Sequence, residues 1–232
     1  MKTRVIFFAL VLLWACNNDD DQNGVPEQVT HSFEFSTNTE GWDGDFADYP
    51  AGEEEMYELE FGHSPLPDPL DNSQGALKLA GRNYSDDLFM LVKREITGLT
   101  PNREYLLNFE VEFASDVPDG SFGIGGSPGE SVYIKAGATP AEPEKVEDEL
   151  GWYRLNIDKG NQAEGGDDMQ LLGNFANGTD EDDYALKILS NSTPMRVTAS
   201  SNGSLWLLVG TDSGFEGKTT IYINRIEVLL RE

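Results

Sequence analysis

The sequence predicts an all-β fold, a sandwich of two antiparallel sheets, over residues 30–232. From Thr30 onward, apolar and polar residues alternate with period two between clusters of Gly, Pro, Asn and Asp, as they do in strands that are buried on one face. Long stripes of helical period are absent. Of the 232 residues, 38% are hydrophobic and 10% aromatic, which is enough to build a core. The number of predicted strands suits a two-sheet sandwich.

The clearest strand is predicted over 105–113. Leu107, Phe109 and Val111 share one face of it, whereas Asn108 lies on the other. One face should therefore meet a core and the other water. The remaining predicted strands are 32–35, 56–61, 76–80, 87–96, 131–136, 152–158, 185–189, 195–199, 205–210 and 219–230.

The last predicted strand changes phase within its length. Ile221 and Ile223 lie on one face, but Ile226 and Val228 have the opposite parity. An inserted residue in a strand produces such a shift, so we predict a β-bulge at Asn224 and Arg225.

Two segments depart from the strand pattern. The segment 167–175 begins with two Asp residues that can cap a helix, and it carries Met169, Leu172 and Phe175, so a short helix is predicted there. The Pro- and Glu-rich segment 138–150 is predicted to be a long mobile connection.

The charge excludes two classes of partner. The chain has 42 acidic and 16 basic residues, a formal net charge of −26. Such a surface repels phosphate backbones and anionic lipid, so neither nucleic acid nor a membrane bound by charge is an expected partner. The single Cys permits no internal disulfide and no thiolate-rich zinc site.

The chain begins with a targeting segment. Two basic residues precede an apolar run over 5–15, which is shorter than the roughly 20 residues needed to span a bilayer and indicates a signal peptide. The run ends in the letters LWAC at 13–16, which resembles the lipobox of bacterial lipoproteins. The resemblance implies that 1–15 is cleaved and that Cys16 becomes the lipidated first residue; a secreted protein with a chance cysteine is the alternative.

Residues 16–29 are polar and predict a tether. The acidic cluster directly after Cys16 resembles the export signal of lipoproteins that reach the outer face of the Gram-negative outer membrane. The expected location is therefore the outer membrane, facing the cell exterior, with the lipid anchor as the sole contact to the membrane.

Three short segments carry a family resemblance. They are the strand at 32–35 followed by Gly41 and Trp42, the turn 99–102 before a strand, and the closing strand at 221–228. Together they resemble the jelly-roll carbohydrate-binding modules of the galactose-binding-like fold. The resemblance implies a jelly roll and a glycan ligand.

The same resemblance implies a structural Ca²⁺ that joins the first and last strands. The matching positions are Glu34 and Asn224, with Asp43 and Asp45 as further oxygen ligands, and oxygen ligands suit Ca²⁺. The family usually carries Asp where this chain has Asn224. A sandwich without metal is the alternative.

A second resemblance covers the middle and the end of the chain. Segments 85–90, 123–136 and 210–217 are similar to a group of bacterial secreted proteins without an assigned activity. This resemblance implies no particular chemistry.

The alternation of apolar and polar residues along one strand predicts a ligand-binding face. Along 152–158 every second residue from Tyr153 is apolar, so Trp152 lies on the polar face with Arg154 and Asn156. A Trp there can stack on the C–H face of a sugar while its polar neighbours bind the hydroxyl groups. The alternative is that the ring closes the end of the core.

Further candidates lie in polar turns. Trp42 is the second aromatic candidate, and the acidic candidates are Asp86, Asp87, Asp212 and Glu216. A glycan-active hydrolase would need two carboxyl groups roughly 5 to 9.5 Å apart across the sugar, and the sequence nominates no such pair. Glycan binding without catalysis is the prediction; a hydrolase and a cell-envelope scaffold remain alternatives.

Overall fold

The computed structural model describes residues 28–232, so the predicted signal peptide, Cys16 and most of the tether lie outside the described residues. The described part forms strands joined by turns and contains no helix, and therefore no helix that could cross a membrane. The strands are β1 (Gln28–Glu34), β2 (Asp43–Ala47), β3 (Tyr49–Pro50), β4 (Glu60–Pro65), β5 (Gly75–Arg82), β6 (Leu88–Thr97), β7 (Glu104–Ser115), β8 (Val132–Thr139), β9 (Lys145–Glu147), β10 (Trp152–Leu155), β11 (Met169–Asn174), β12 (Ala185–Ser190), β13 (Met195–Thr198), β14 (Ser204–Ser213) and β15 (Lys218–Arg231).

These strands form two main antiparallel sheets. The larger sheet has the order β12-β7-β15-β5-β4, with β13 also on β7 and β1 on the C-terminal half of β15. The second sheet has the order β11-β8-β14-β6-β2. Successive long strands β5, β6, β7 and β8 alternate between the two sheets, as in a jelly roll. The predicted all-β jelly-roll sandwich is confirmed, although its first strand is Gln28–Glu34 and not 32–35.

The core lies between the two sheets and follows the predicted parity. On β7, Leu107, Phe109 and Val111 are buried whereas Asn108 and Glu110 are partly exposed. The inward residues of β14 and β15 join the same cluster. Alternate burial along the long strands therefore fixes which side chains face outward.

The predicted bulge is present in β15. Its pairing with β7 shifts register between Ile223 and Arg225, so Asn224 is the extra residue. Ile223 and Ile226 are consequently both buried despite their opposite parity.

The helix predicted over 167–175 is wrong, because this segment contains β11, which pairs with β8. Its register shifts between Leu171 and Gly173, so the threefold apolar spacing arises from a bulged strand. Met169 packs on the outer face of the second sheet, whereas Leu172 packs against the main core. The predicted mobile connection at 138–150 is also partly structured, since β9 within it pairs with β10, and β10 pairs with β3, in a small third sheet.

The sandwich has two distinct ends. At one end, which we call the tether pole, Gln28 pairs with Arg231 at the end of β15. The opposite end, the loop pole, carries the turns 83–87, 116–131 and 214–217, which connect strand ends that lie side by side. The two poles are separated by the 14 residues of β15, roughly 45 Å.

Candidate functional site

A polar cavity of about 240 Å³ lies near the loop pole, on the outer face of the second sheet. Asp48 directly follows β2 and Asp87 directly precedes β6, and the last residue of β2 pairs with the second residue of β6. The neighbouring turns of these two strands thus bring the two carboxylates to the same place. The lining residues are Asp48, Asp87, Arg154, Leu155, Ile157, Asp158, Lys159, Gly160 and Asn161.

The other wall of the cavity packs on an apolar cluster on the outer face of the second sheet. Phe89, Leu91 and Leu208 point outward from the second sheet, and Leu155 and Ile157 pack against this cluster. Burial of apolar area stabilises this contact. β10 and the segment that follows it therefore cover the sheet and carry Arg154 and Lys159 to the two carboxylates.

Arg154 is held by three carboxylates. Its Nη1 lies 2.7 Å from Oδ1 of Asp48 and 3.5 Å from Oδ2 of Asp87, and its Nε lies 3.5 Å from Oδ2 of Asp148. Its guanidinium carbon is 5.2 Å from the centre of the Trp152 ring, within the range of a cation–π contact. These contacts fix the guanidinium at the edge of the cavity.

Two lysines complete the ion-pair network behind the cavity. Nζ of Lys159 lies 3.0 Å from Oδ2 of Asp48 and 3.0 Å from Oδ2 of Asp212. The fully buried Lys135 lies 2.8 Å from the same Asp212 oxygen and donates to the carbonyls of Lys159 and Glu164, each at 2.9 Å. An ammonium group has three donors, so Lys135 is fully hydrogen-bonded and fastens the cavity wall to the sheet.

Burial and charge shift the pKa values in this network. Burial raises the pKa of the Asp87 carboxyl to about 6; Lys159 and Arg154 oppose this rise, and Asp48 and Asp212 add to it. Burial lowers the pKa of Lys159, but Asp212, Asp48 and Asp87 outweigh it, so the net shift is upward. Burial also lowers the pKa of Lys135, against the attraction of Asp212. Asp87 is therefore the group in this cavity that can change its charge near neutral pH.

Backbone strain is concentrated at the same place. Six non-glycine residues of the described chain have φ in the left-handed region, and three of them contact this network: Asp48 at 64°, Asp86 at 60° and Gln162 at 46°. The backbone N–H of Gln162 donates to Asp212, and its side chain donates to the carbonyl of Asp86. Each such residue costs about 1 kcal/mol or more, and such strain is enriched at functional sites.

The structure brings together only part of the predicted ligand-binding set. Asp87 and Arg154 line the cavity, Trp152 stacks on Arg154, and Asp212 lies directly behind. Asn156 lies elsewhere, because it bonds the backbone of Glu142 and Glu144.

Asp86 and Glu216 are exposed in loop-pole turns outside the cavity lining. The carbonyl of Asp86 accepts the Gln162 side chain, and the backbone N–H of Glu216 donates to Ile124. Asp86 therefore joins the network through Gln162, whereas Glu216 contacts a different loop.

Trp42 is not available to a ligand. Its side chain is 2% exposed and packs edge-on against Phe33 and Phe35, with ring centres 5.3 and 6.2 Å apart. The ring belongs to the core, so Trp42 is not part of the candidate site.

Three important residues of the network were missed from the sequence. Asp48 lies in an acidic turn without a distinguishing pattern, and Lys159 lies in a segment without periodicity. Lys135 has the parity of a solvent-facing strand residue, and nothing local shows that the segment after β10 covers it. The positive φ of Asp48 is visible in the structure alone.

The side chains of three of the four predicted calcium ligands have other partners. Asp45 lies 3.6 Å from Nζ of Lys145, and Asn224 donates its side-chain amide to Glu112 at 2.5 Å. Oδ1 of Asp43 accepts the N–H of Gly44, and Glu34 is exposed. Among residues 28–232, no group of three or more His, Cys, Asp or Glu side chains is placed to hold a metal ion. These positions do not fit a shared cation, and calcium binding stays a prediction.

The fold and cavity define an antiparallel β-sandwich with a buried ion-pair network at one end. No known protein family and no curated protein matches the chain. Among solved structures, the mannan-recognising carbohydrate-binding module TmCBM27 is 13% identical, with a TM-score of 0.40, over 89% of this chain and 99% of that one. The CBM22-1 xylan-binding domain from Paenibacillus barcinonensis Xyn10C is 12% identical, with a TM-score of 0.37, over 86% and 92%.

A third similar structure is the enzymatically active domain of tailspike protein 4 from bacteriophage CBA120. It is 11% identical, with a TM-score of 0.36, over 84% of this chain, which spans 20% of that one. The resemblance to a group of secreted proteins without an assigned activity stays a prediction.

Proposed function

We propose that this protein binds a glycan at the cavity formed by Asp48, Asp87, Arg154 and Lys159. The observation that carries the proposal is the fixed guanidinium of Arg154, which lies between three carboxylates and against the ring of Trp152. A sugar presents hydroxyl groups that both donate and accept, together with an apolar C–H face. A preorganised set of donors, acceptors and one aromatic ring matches both features.

The proposed location is the outer face of the outer membrane, with a lipid on Cys16. The described chain begins at the tether pole, and the cavity lies near the loop pole. A lipid attached through the tether would therefore leave the cavity pointing away from the membrane. Metabolic labelling with a palmitate analogue tests the anchor: Cys16→Ala should abolish the label and release the protein from the membrane fraction.

A glycan array with the purified mature protein tests the binding function. Arg154→Ala should remove the hits. Arg196→Ala is the matched control, because Arg196 forms an exposed pair with Glu104 at the surface, outside the cavity lining. Absence of hits with the intact protein, or equal loss with both variants, would count against the proposal.

Hydrolysis of the bound glycan is a second candidate function. Oxygens of Asp48 and Asp87 both lie within ion-pair distance of one nitrogen of Arg154, so the two carboxyl groups are close neighbours. Asp87, with its pKa raised to about 6, could donate a proton, while Asp48 is paired with two cations. Release of reducing ends from an array-positive glycan, lost in both Asp87→Asn and Asp48→Asn, would favour this function over binding alone.

A further inference from the structure

The cations around the cavity are already occupied. Lys159 is shared between Asp48 and Asp212, and Arg154 contacts Asp48, Asp87 and Asp148. An anionic ligand would have to displace these carboxylates. Displacing a partner from a desolvated ion pair leaves an uncompensated charge and is costly.

Asp87 is the carboxylate of the cavity lining with the fewest partners. Three buried carboxylate oxygens of the network have no hydrogen-bond partner, but Oδ2 of Asp48 lies 3.0 Å from Nζ of Lys159, and Asp212 lies outside the cavity lining. The third is Oδ1 of Asp87, whose Oδ2 has only the 3.5 Å contact with Arg154. A buried carboxylate oxygen without a donor is unfavourable. The Asp87 side chain is 32% exposed, and rotation about its terminal bond would bring either oxygen to a donor on a ligand.

The net charge around the cavity also favours a cationic ligand. The ion-pair network in and behind the cavity contains five carboxylates and three cations. The network therefore has an excess of negative charge. The charged groups that act on Asp87 are the cations Lys159 and Arg154 and the carboxylates Asp48 and Asp212. The carboxylates are Asp48, Asp87, Asp148, Asp158 and Asp212, and the cations are Lys135, Arg154 and Lys159.

We propose that the cavity is selective for a glycan that carries a primary ammonium group, and that Asp87 binds this group. The inference rests on the proposed function and names the class of ligand. The ammonium would donate to Asp87 and compensate the excess charge, while the hydroxyl groups of the sugar would contact Arg154 and Trp152. Charge-assisted hydrogen bonds of this kind are stronger than neutral ones.

The test compares three three-ring probes by isothermal titration calorimetry with the full chain in detergent at pH 7.5 and 150 mM NaCl. Kanamycin A carries ammonium groups, maltotriose is neutral and tri-galacturonate is anionic. We expect kanamycin to bind about tenfold more tightly than maltotriose, and tri-galacturonate to bind most weakly. Asp87→Asn should lower the affinity for kanamycin about tenfold and so remove its preference over maltotriose.

Asp180→Asn is the matched control, since it removes the same charge from an exposed turn outside the cavity lining. Equal loss of kanamycin binding in both variants would mean attraction to the acidic surface as a whole and would overturn the inference. Maltotriose binding as tightly as kanamycin, with loss in Arg154→Ala, would overturn the inference and keep the proposed function. Absence of binding by all three probes and by the glycan array would reject both.

A second measurement does not depend on a variant. Kanamycin should lower the pKa of the Asp87 carboxyl from its value of about 6, as followed by carboxyl carbon chemical shifts. Binding that leaves this pKa unchanged would overturn the inference.

Discussion

Nζ of Lys135 lies 2.8 Å from Oδ2 of Asp212, and both side chains are fully buried. The pair joins β8 to β14 on the outer face of the second sheet, and Lys135 also holds the backbone of the segment that lines the cavity. Charged groups are rarely placed in such positions without being paired. The pair therefore connects the stability of the sandwich with the shape of the cavity.

The first prediction concerns this pair. Lys135→Met should lower the free energy of unfolding by about 3 kcal/mol or more, because it leaves Asp212 buried with Lys159 as its remaining cation. Urea unfolding measures the loss. Arg196→Met, which breaks an exposed surface pair, should have a much smaller effect. Equal losses of unfolding free energy in the two variants would mean that the buried pair stabilises the fold no more than an exposed pair does.

A second prediction concerns the pH dependence of stability. The pKa of Asp87 is about 6 in the folded protein and roughly 4 in the unfolded chain, so the folded state binds this proton more tightly. The contribution of this group to the unfolding free energy should therefore fall as the pH rises from about 4 to about 6, and remain lower above. Asp87→Asn removes the contribution.

The measurement is the difference in unfolding free energy between Asp87→Asn and the parent protein at pH 4.5 and at pH 7.5. The variant should gain stability relative to the parent protein at the higher pH. Asp180→Asn, in an exposed turn, should show no such change between the two pH values. Parallel pH profiles of Asp87→Asn and the parent protein would contradict the raised pKa.

Strand parity allowed much of the fold to be predicted, because burial on one face imposes a strict alternation. It located β7 and the bulge in β15, and it placed Trp152 and Arg154 on the same face. Strand parity gave the wrong element at β11. There a bulge and burial on both faces produce the apolar spacing that is typical of a helix. Trp42 was nominated as a candidate, but a polar turn does not show whether its aromatic ring folds back onto the core.

The candidate site was less predictable than the fold. Its ion pairs join residues far apart in sequence, such as Asp48 with Arg154 and Lys135 with Asp212. The first pair depends on β10 covering the second sheet, and the second joins the adjacent strands β8 and β14. The alternation along β8 gives Lys135 a solvent-facing parity, and the segment after β10 covers and buries it.

A third prediction separates two half-buried indole rings. Trp152→Ala should weaken binding of an array-positive glycan about fivefold, because a stacked ring contributes on the order of 1 kcal/mol. Trp206→Ala is the control: Trp206 is also half-buried with Lys93 near its ring, at 5.7 Å, but it does not contact Arg154 or line the cavity. Calorimetric titration measures both affinities, and equal losses would remove Trp152 from the site.

The last prediction concerns the bulge in β15. Deletion of Asn224 would restore unbroken alternation, because Ile223, Ile226 and Val228 would then share one face and Ile226 would stay opposite Val111. The buried side chains would keep their places, so the deletion variant should fold and lose mainly the hydrogen bond from Asn224 to Glu112, about 1 kcal/mol. Asn224→Gly keeps the extra residue and loses the same hydrogen bond, so it should fold with a similar small loss. Circular dichroism and urea unfolding measure both variants. A deletion variant that does not fold, beside a folded Asn224→Gly, would show that the bulge itself is required and would contradict the prediction.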